Sequence, residues 1–200
     1  MLDINTINQK MNELKLIKHN SLIGLVDCLS DGNYRLKPNI LPDKGAVYAF
    51  WWSGSLSYLK SNKVNRVIKF KGPNSRRVNV EFTDSWLDNI SIEGRIPLYV
   101  GKTADSLKKR ISLHLQLNLR RGLSLGDTAL DEERKTSSNQ VRDRIERMFL
   151  DEEDIRSLMI NNISLSYVLL DGDSDSVNRF YLEDRAIGNL LPLFNIDIER

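Results

Sequence analysis

PLYVGKTAD, residues 97–105, is the stretch on which the fold turns. Read as the end of a phosphate loop, its GKT would announce a nucleotide-binding α/β domain; read as an apolar strand running into a turn, it belongs to another architecture. A phosphate loop has the spacing G-x-x-x-x-G-K-[ST], with its first glycine five residues before the second so that backbone N–H groups wrap the anion. Here that position is Ile96, the nearest upstream glycine is Gly94, and Pro97 removes one of the amides that would face the phosphate. The NTPase reading is the weakest, and IPLYVG, 96–101, reads as a strand.

Working outward, AVYAFWW, 46–52, is a continuous apolar run of the kind buried on both faces. RVIKF and VNVEF, separated by the turn-forming KGPNSRR, predict a β-hairpin with basic residues at its tip. ISLSYVLL predicts a further strand. Helical patterns cover 5–18, about 140–150, 152–160 and Ser176 to Leu191, the last stopped by Pro192. After the 96–101 strand, Thr103 or Asp105 can cap a helix running to about Leu119. RRGLSLGDTALDEERKTSSNQ has the composition of a loop. The expected fold is α+β: a small central mixed β-sheet flanked by helices, with an inserted hairpin. Residues 1–44 read as an N-terminal extension and 45–200 as the domain, with the insertion at about 60–82.

At 200 residues, 40% hydrophobic and 28% charged, the chain can bury a real core, and one elaborated domain is expected. One cysteine, Cys28, cannot form an internal disulfide and is expected as a small core residue. Two histidines and one cysteine give no basis for a zinc cluster. No apolar run has the length of a membrane span and MLDINTINQK lacks the pattern of a secretion signal, so a cytoplasmic protein is expected.

The net charge of +2 implies no partner by itself, but its distribution is uneven. Residues 60–77 hold seven basic residues and no acid, and 102–121 add Lys102, Lys108, Lys109, Arg110, Arg120 and Arg121 against Asp105 alone. Two such segments favour a polyanion over a merely solvated face. Within the second segment Arg110 and His114 share a helix face at i, i+4 among Leu107, Leu113 and Leu117, and a guanidinium among leucines needs an anion. On the last helix Glu183 falls at the edge of the stripe formed by Phe180, Ala186, Ile187 and Leu190, so its carboxylate is expected half-buried and directed at a cation. An internal Arg110–Glu183 ion pair is the structural alternative to a catalytic pair.

The ordered set AVY (46–48), YVG (99–101), Arg110, His114, Glu183 and Asn195 resembles the GIY-YIG nuclease superfamily over residues 45–195. The first motif has Ala46 where the family has glycine, with Gly45 one residue earlier, and Tyr48 and Tyr99 are 51 residues apart where the family joins its tyrosines by a short loop. Direct pairing of the two strands then depends on the hairpin being an insertion between them.

The resemblance implies a small three-stranded sheet with flanking helices and metal-dependent hydrolysis of DNA phosphodiesters. It assigns catalytic places to Tyr48, Tyr99, Lys102, Arg110, His114, Glu183 and Asn195. Glu183 would be the metal ligand, for Mg²⁺ or in its place Mn²⁺, because hard cations take carboxylate oxygen. Arg110 would grip the phosphate, and Tyr48 would take the proton from water, its phenol lowered by Lys102 and Arg110. Tyr99 and His114 would orient groups or relay protons, and Asn195 would brace the site. Lys69, Lys71, Arg76, Arg77, Arg120 and Arg121 are the expected contacts to double-stranded DNA. The self-contained length with basic insertions looks most like a type II restriction endonuclease working as a homodimer. Repair or mobile-element nucleases, and a DNA-binding module without catalysis, are the alternatives.

Overall fold

The computed structural model describes residues 2–16, 20–71, 77–118 and 140–195. In chain order the elements are α1 (Ile4–Leu16), β1 (Asn20–Ser21), α2 (Leu22–Leu25), β2 (Val26–Cys28), β3 (Tyr34–Leu36), β4 (Ala46–Trp52), α3 (Leu56–Leu59), β5 (Val67–Lys71), β6 (Arg77–Glu81), α4 (Asp84–Ile90), β7 (Ile96–Thr103), α5 (Leu107–Leu115), α6 (Gln140–Met148), α7 (Ile155–Asn162), β8 (Ile163–Leu169) and α8 (Ser176–Leu190). Among them no helix is long and apolar enough to cross a membrane.

The apolar run 46–52 forms the centre. All seven residues of β4 are buried, and the strand lies between β8 and β7 in a four-stranded sheet ordered β1-β8-β4-β7. Every neighbouring pair is antiparallel, so the sheet is not mixed. The reason lies in the position of β4. Strands β7 and β8 both run opposite to it, and the helical crossover α5–α7 that links them passes over β4 instead of setting the two side by side.

Alternation along β4 divides the core. Ala46, Tyr48, Phe50 and Trp52 join one apolar cluster with Leu107, Ile111 and Leu115 of α5 and with Val141 and Ile145 of α6. Val47, Ala49 and Trp51 join a second cluster closed by Met11 and Leu14 of α1 and by Leu182, Ala186 and Leu190 of α8. Residues before 45 belong to this packing: α1 covers the second face, β1 pairs with β8, and Leu22, Leu25, Val26 and Leu41 enter the first cluster. Cys28, expected in the core, is exposed. It ends the short strand β2, whose two-stranded partnership with β3 lies outside the main sheet and leaves that end uncovered.

Strands β5 and β6 form the expected hairpin as a separate two-stranded sheet, in register from Val67↔Glu81 to Lys71↔Arg77. Ile68, together with Phe82 just beyond β6, anchors its base in the first cluster, and Asn65 binds the carbonyls of Arg147 and Met148 at the end of α6. Insertion of 53–95 leaves β4 and β7 directly paired from Ala46↔Thr103 to Trp52↔Ile96, with a bulge between Phe50 and Trp51. Loop length costs little in closure entropy, so a long excursion between paired strands is tolerated.

Candidate active site

Register places the site. Tyr48 stands opposite Gly101 across β4 and β7, on the face covered by α5. A Cβ added at Gly101 would lie 2.6 Å from the Tyr48 hydroxyl and 2.8 Å from the Tyr99 ring, so only glycine admits both phenols there. Gly45 has a comparable reason: a Cβ would lie 2.6 Å from the Leu170 carbonyl oxygen, at the point where the Gly45 N–H also donates to Asp171 at 3.0 Å.

Helix α5 delivers the next pair. Its cap is Ser106, whose hydroxyl accepts from the Lys109 N–H at 3.1 Å and donates to Asp43; Thr103 and Asp105, expected in that role, do not cap it. Thr103 remains in β7, and the chain needs the residues up to Ser106 to turn out of the sheet. The helix ends at Leu115 where Gln116 takes φ 44°, short of the expected Leu119, which lies outside the described residues. Leu113, expected beside Arg110 and His114, is exposed, while Leu107 and Leu117 are buried.

His114 is fully buried, and its Nε2 lies 2.8 Å from the Tyr48 hydroxyl. Its ring packs edge-on to Tyr48 and Phe50 and lies 5.0 Å, centroid to centroid, from Tyr99. Arg110 Nε donates to the Tyr48 hydroxyl at 3.2 Å, and Arg110 is also hydrogen-bonded to Tyr99. With its oxygen accepting from Arg110, the Tyr48 hydroxyl has one proton to give, and His114 Nε2 is the acceptor within reach. Burial, then the charge of Arg110, pushes His114 down to about 3, so the imidazole is neutral and able to accept. Its Nδ1 is buried without a hydrogen-bond partner among the described residues.

These surroundings reverse one expectation. Burial raises the Tyr48 phenol well above its ordinary value; Tyr99 and Glu183 raise it further, and Arg110 only partly offsets them. Tyr99 is raised by burial as well. Lys102 was expected to help lower Tyr48, but its ammonium is engaged by the Glu183 carboxylate. In place of the alternative Arg110–Glu183 ion pair, Arg110 is hydrogen-bonded to the phenols and Lys102 is paired with Glu183.

The second partnership comes from the other face. Lys102 pairs in register with Val47, which points to the α8-covered side, and there it meets Glu183. Glu183 is half-buried as expected, whereas Phe180 beside it is exposed, with its ring centroid 5.4 Å from the Lys102 ammonium. The Glu183 charge nonetheless acts on both Tyr48 and Tyr99, so the two faces meet electrostatically at this end of the sheet. Asn195 braces β7 between Tyr99 and Gly101: its side chain accepts from the Val100 N–H at 2.7 Å and donates to the Val100 carbonyl at 2.8 Å.

Among the described residues no group of three or more His, Cys, Asp or Glu is placed to hold a metal. Magnesium is commonly held by one or two carboxylates, with waters and substrate phosphate completing its shell. The half-buried carboxylate of Glu183 fits a cation carried in that way and does not fit a cage built wholly of protein. Of the expected DNA contacts, Arg76, Arg120 and Arg121 and the side chains of Lys69, Lys71 and Arg77 lie outside the described residues. Phe180 and Ser106 were not singled out for the site by sequence reasoning. Phe180 was read only as part of the apolar stripe of the last helix, and the signal for its place at the site was that it lies one turn before Glu183.

Compared with protein-family models, curated proteins and solved structures, the chain matches none.

Proposed function

We propose that this chain is a metal-dependent DNA endonuclease of the GIY-YIG kind, cutting double-stranded DNA at defined sequences as a restriction enzyme and acting as a homodimer. One observation carries the reading: Tyr48, Tyr99, Arg110 and His114 converge over a glycine that admits both rings, within the electrostatic reach of Glu183. A core built for stability alone has no use for four polar side chains at one end of an apolar sheet, since each must be given a partner.

Hydrolysis of a phosphodiester needs a deprotonated water in line with the leaving oxygen and positive charge where negative charge develops. Arg110, hydrogen-bonded to both phenols, is the guanidinium that would grip the substrate phosphate. Glu183 would hold Mg²⁺ or Mn²⁺, which when bound supplies positive charge to the phosphate and the leaving oxygen. In the resting protein the Tyr48 phenol keeps its proton and hydrogen-bonds His114 Nε2. The Glu183 charge adds to the raising of both phenols, so neutralising that carboxylate relieves part of it, while burial remains the larger cause. His114 fixes the direction of the Tyr48 hydroxyl, and Asn195 fixes the strand that carries Tyr99.

A second reading, a DNA-binding module without cleavage, is favoured by the complete burial of Tyr48 and its raised phenol. Digestion of plasmid DNA with and without Mg²⁺ separates the two. The nuclease reading expects discrete fragments with Mg²⁺ and none without it, and Glu183→Gln is expected to abolish cutting while DNA binding in a gel-shift assay persists. Binding without any cutting by the wild type would favour the module. Undiminished Mg²⁺-dependent cutting by Glu183→Gln would remove that residue from the site.

A further inference from the structure

Lys102 and Phe180 form an arrangement that the proposed chemistry does not use. The Lys102 ammonium lies against the Glu183 carboxylate on one side, with the ring of Phe180, one turn earlier on α8, 5.4 Å away. The pair is partly open to water, with side-chain exposures of 39% for Lys102 and 18% for Glu183. Phe180 is itself 49% exposed and is met edge-on by Tyr181. An aromatic face left in water beside a cation offers that cation a second, weaker resting place.

We infer that Lys102 is a built-in competitor for the divalent cation at Glu183, and that its displacement by that cation turns the ammonium toward the substrate phosphate. The inference rests on the endonuclease reading and deepens it. A divalent cation on that carboxylate weakens its hold on the ammonium, because the two positive groups repel across a few ångströms and share the same negative charge. Lysine can yield. Its charge is a point on a flexible stem, and a partly exposed ion pair is weak. The Phe180 face keeps the released ammonium at the rim of the site, where a phosphate oxygen is the next available anion. Charge makes the two events cooperative: Lys102 with Glu183 is neutral, whereas the loaded group carries two net positive charges and attracts DNA. By linkage, DNA must then raise the affinity for the cation in equal measure.

The test is binding of Mn²⁺ to the full chain without DNA, followed by electron paramagnetic resonance of the free ion, for wild type, Lys102→Met, Lys102→Gln and Glu183→Gln. Circular dichroism melts establish that each variant is folded. Removal of the competitor is expected to tighten Mn²⁺ binding by about two- to fivefold in both Lys102 variants, the scale of a partly exposed ion pair. Glu183→Gln is expected to lose the site. Unchanged or weaker Mn²⁺ binding in both Lys102 variants, with Glu183→Gln still losing it, overturns the competitor role and leaves the metal assignment standing. Wild-type Mn²⁺ affinity in Glu183→Gln overturns the metal assignment, and the competitor with it.

Discussion

Neighbouring residues of one strand serve two different ends. On the α8-covered face of the sheet, Val47, Ala49 and Trp51 meet Val100, Val168 and Leu182 in an apolar cluster, in which the Trp51 indole donates to Ser166 at 2.8 Å. On the α5-covered face, Tyr48 and Phe50 meet His114 and Tyr99, and every polar atom but one has been given a partner. The contrast teaches that a period of two lets one strand hold the fold with its odd positions and build a titratable cluster with its even ones. Perturbations should therefore separate by face.

The largest effect is expected from the apolar side. Trp51→Ala removes a fully buried indole and should lower the unfolding free energy by about 3–5 kcal/mol, measured by urea titration. A smaller loss would mean that α1 and α8 can close over the gap.

Mild acid should act first on the other face. His114 titrates near 3 in the folded chain and near its ordinary 6.5 when unfolded, so only the unfolded state takes the proton between those values. Its stability contribution is complete above about pH 6.5 and is lost as the pH falls toward 3, by an amount on the order of a few kcal/mol. His114→Phe keeps the aromatic contacts and should flatten this part of the stability profile. Melts between pH 7 and 4.5 suffice, because carboxylates lowered in the fold, such as Asp154, act at more acid pH. An identical slope in wild type and variant would show that the ring is hydrated in solution.

The smallest pair concerns two glycines. Gly101→Ala should cost about 1–3 kcal/mol through overpacking and shift the Tyr48 ring, visible in aromatic NMR resonances. Gly188→Ala, on the side of α8 where a Cβ meets nothing within 4 Å, should instead stabilise by about 0.5–1 kcal/mol through helix propensity. Equal effects at both sites would remove the packing reason for Gly101.

Much of the frame was legible because its signals are hydrophobic runs. AVYAFWW, IPLYVG, ISLSYVLL and the hairpin strands were read within a residue or two of β4, β7, β8, β5 and β6. The strands β1, β2 and β3 were not, since two or three residues of mixed polarity carry no period, and they form only because neighbours offer an edge. The candidate residues were named from sequence order, but their partners were not. Whether Glu183 meets Arg110 or Lys102 depends on which face of the sheet each cation reaches: α5 carries Arg110 to one, and the register of β7 on β4 sends Lys102 to the other. The raised phenol of Tyr48 was also hidden, because the sign of a pKa shift follows burial depth, which a linear pattern does not give.

The clasp of residues 193–195 on β7 has a consequence beyond the site. Leu193 and Phe194 donate backbone N–H groups to the carbonyls of Pro97 and Leu98, and Asn195 takes both backbone groups of Val100, so the outer edge of β7 is occupied over its most apolar stretch. An open strand of that composition is a template for a strand from another molecule. At the opposite border the sheet ends in β1, only two residues long. The fold thus limits growth by edge addition at both margins, and the asparagine that steadies Tyr99 and Gly101 also guards the protein against aggregation.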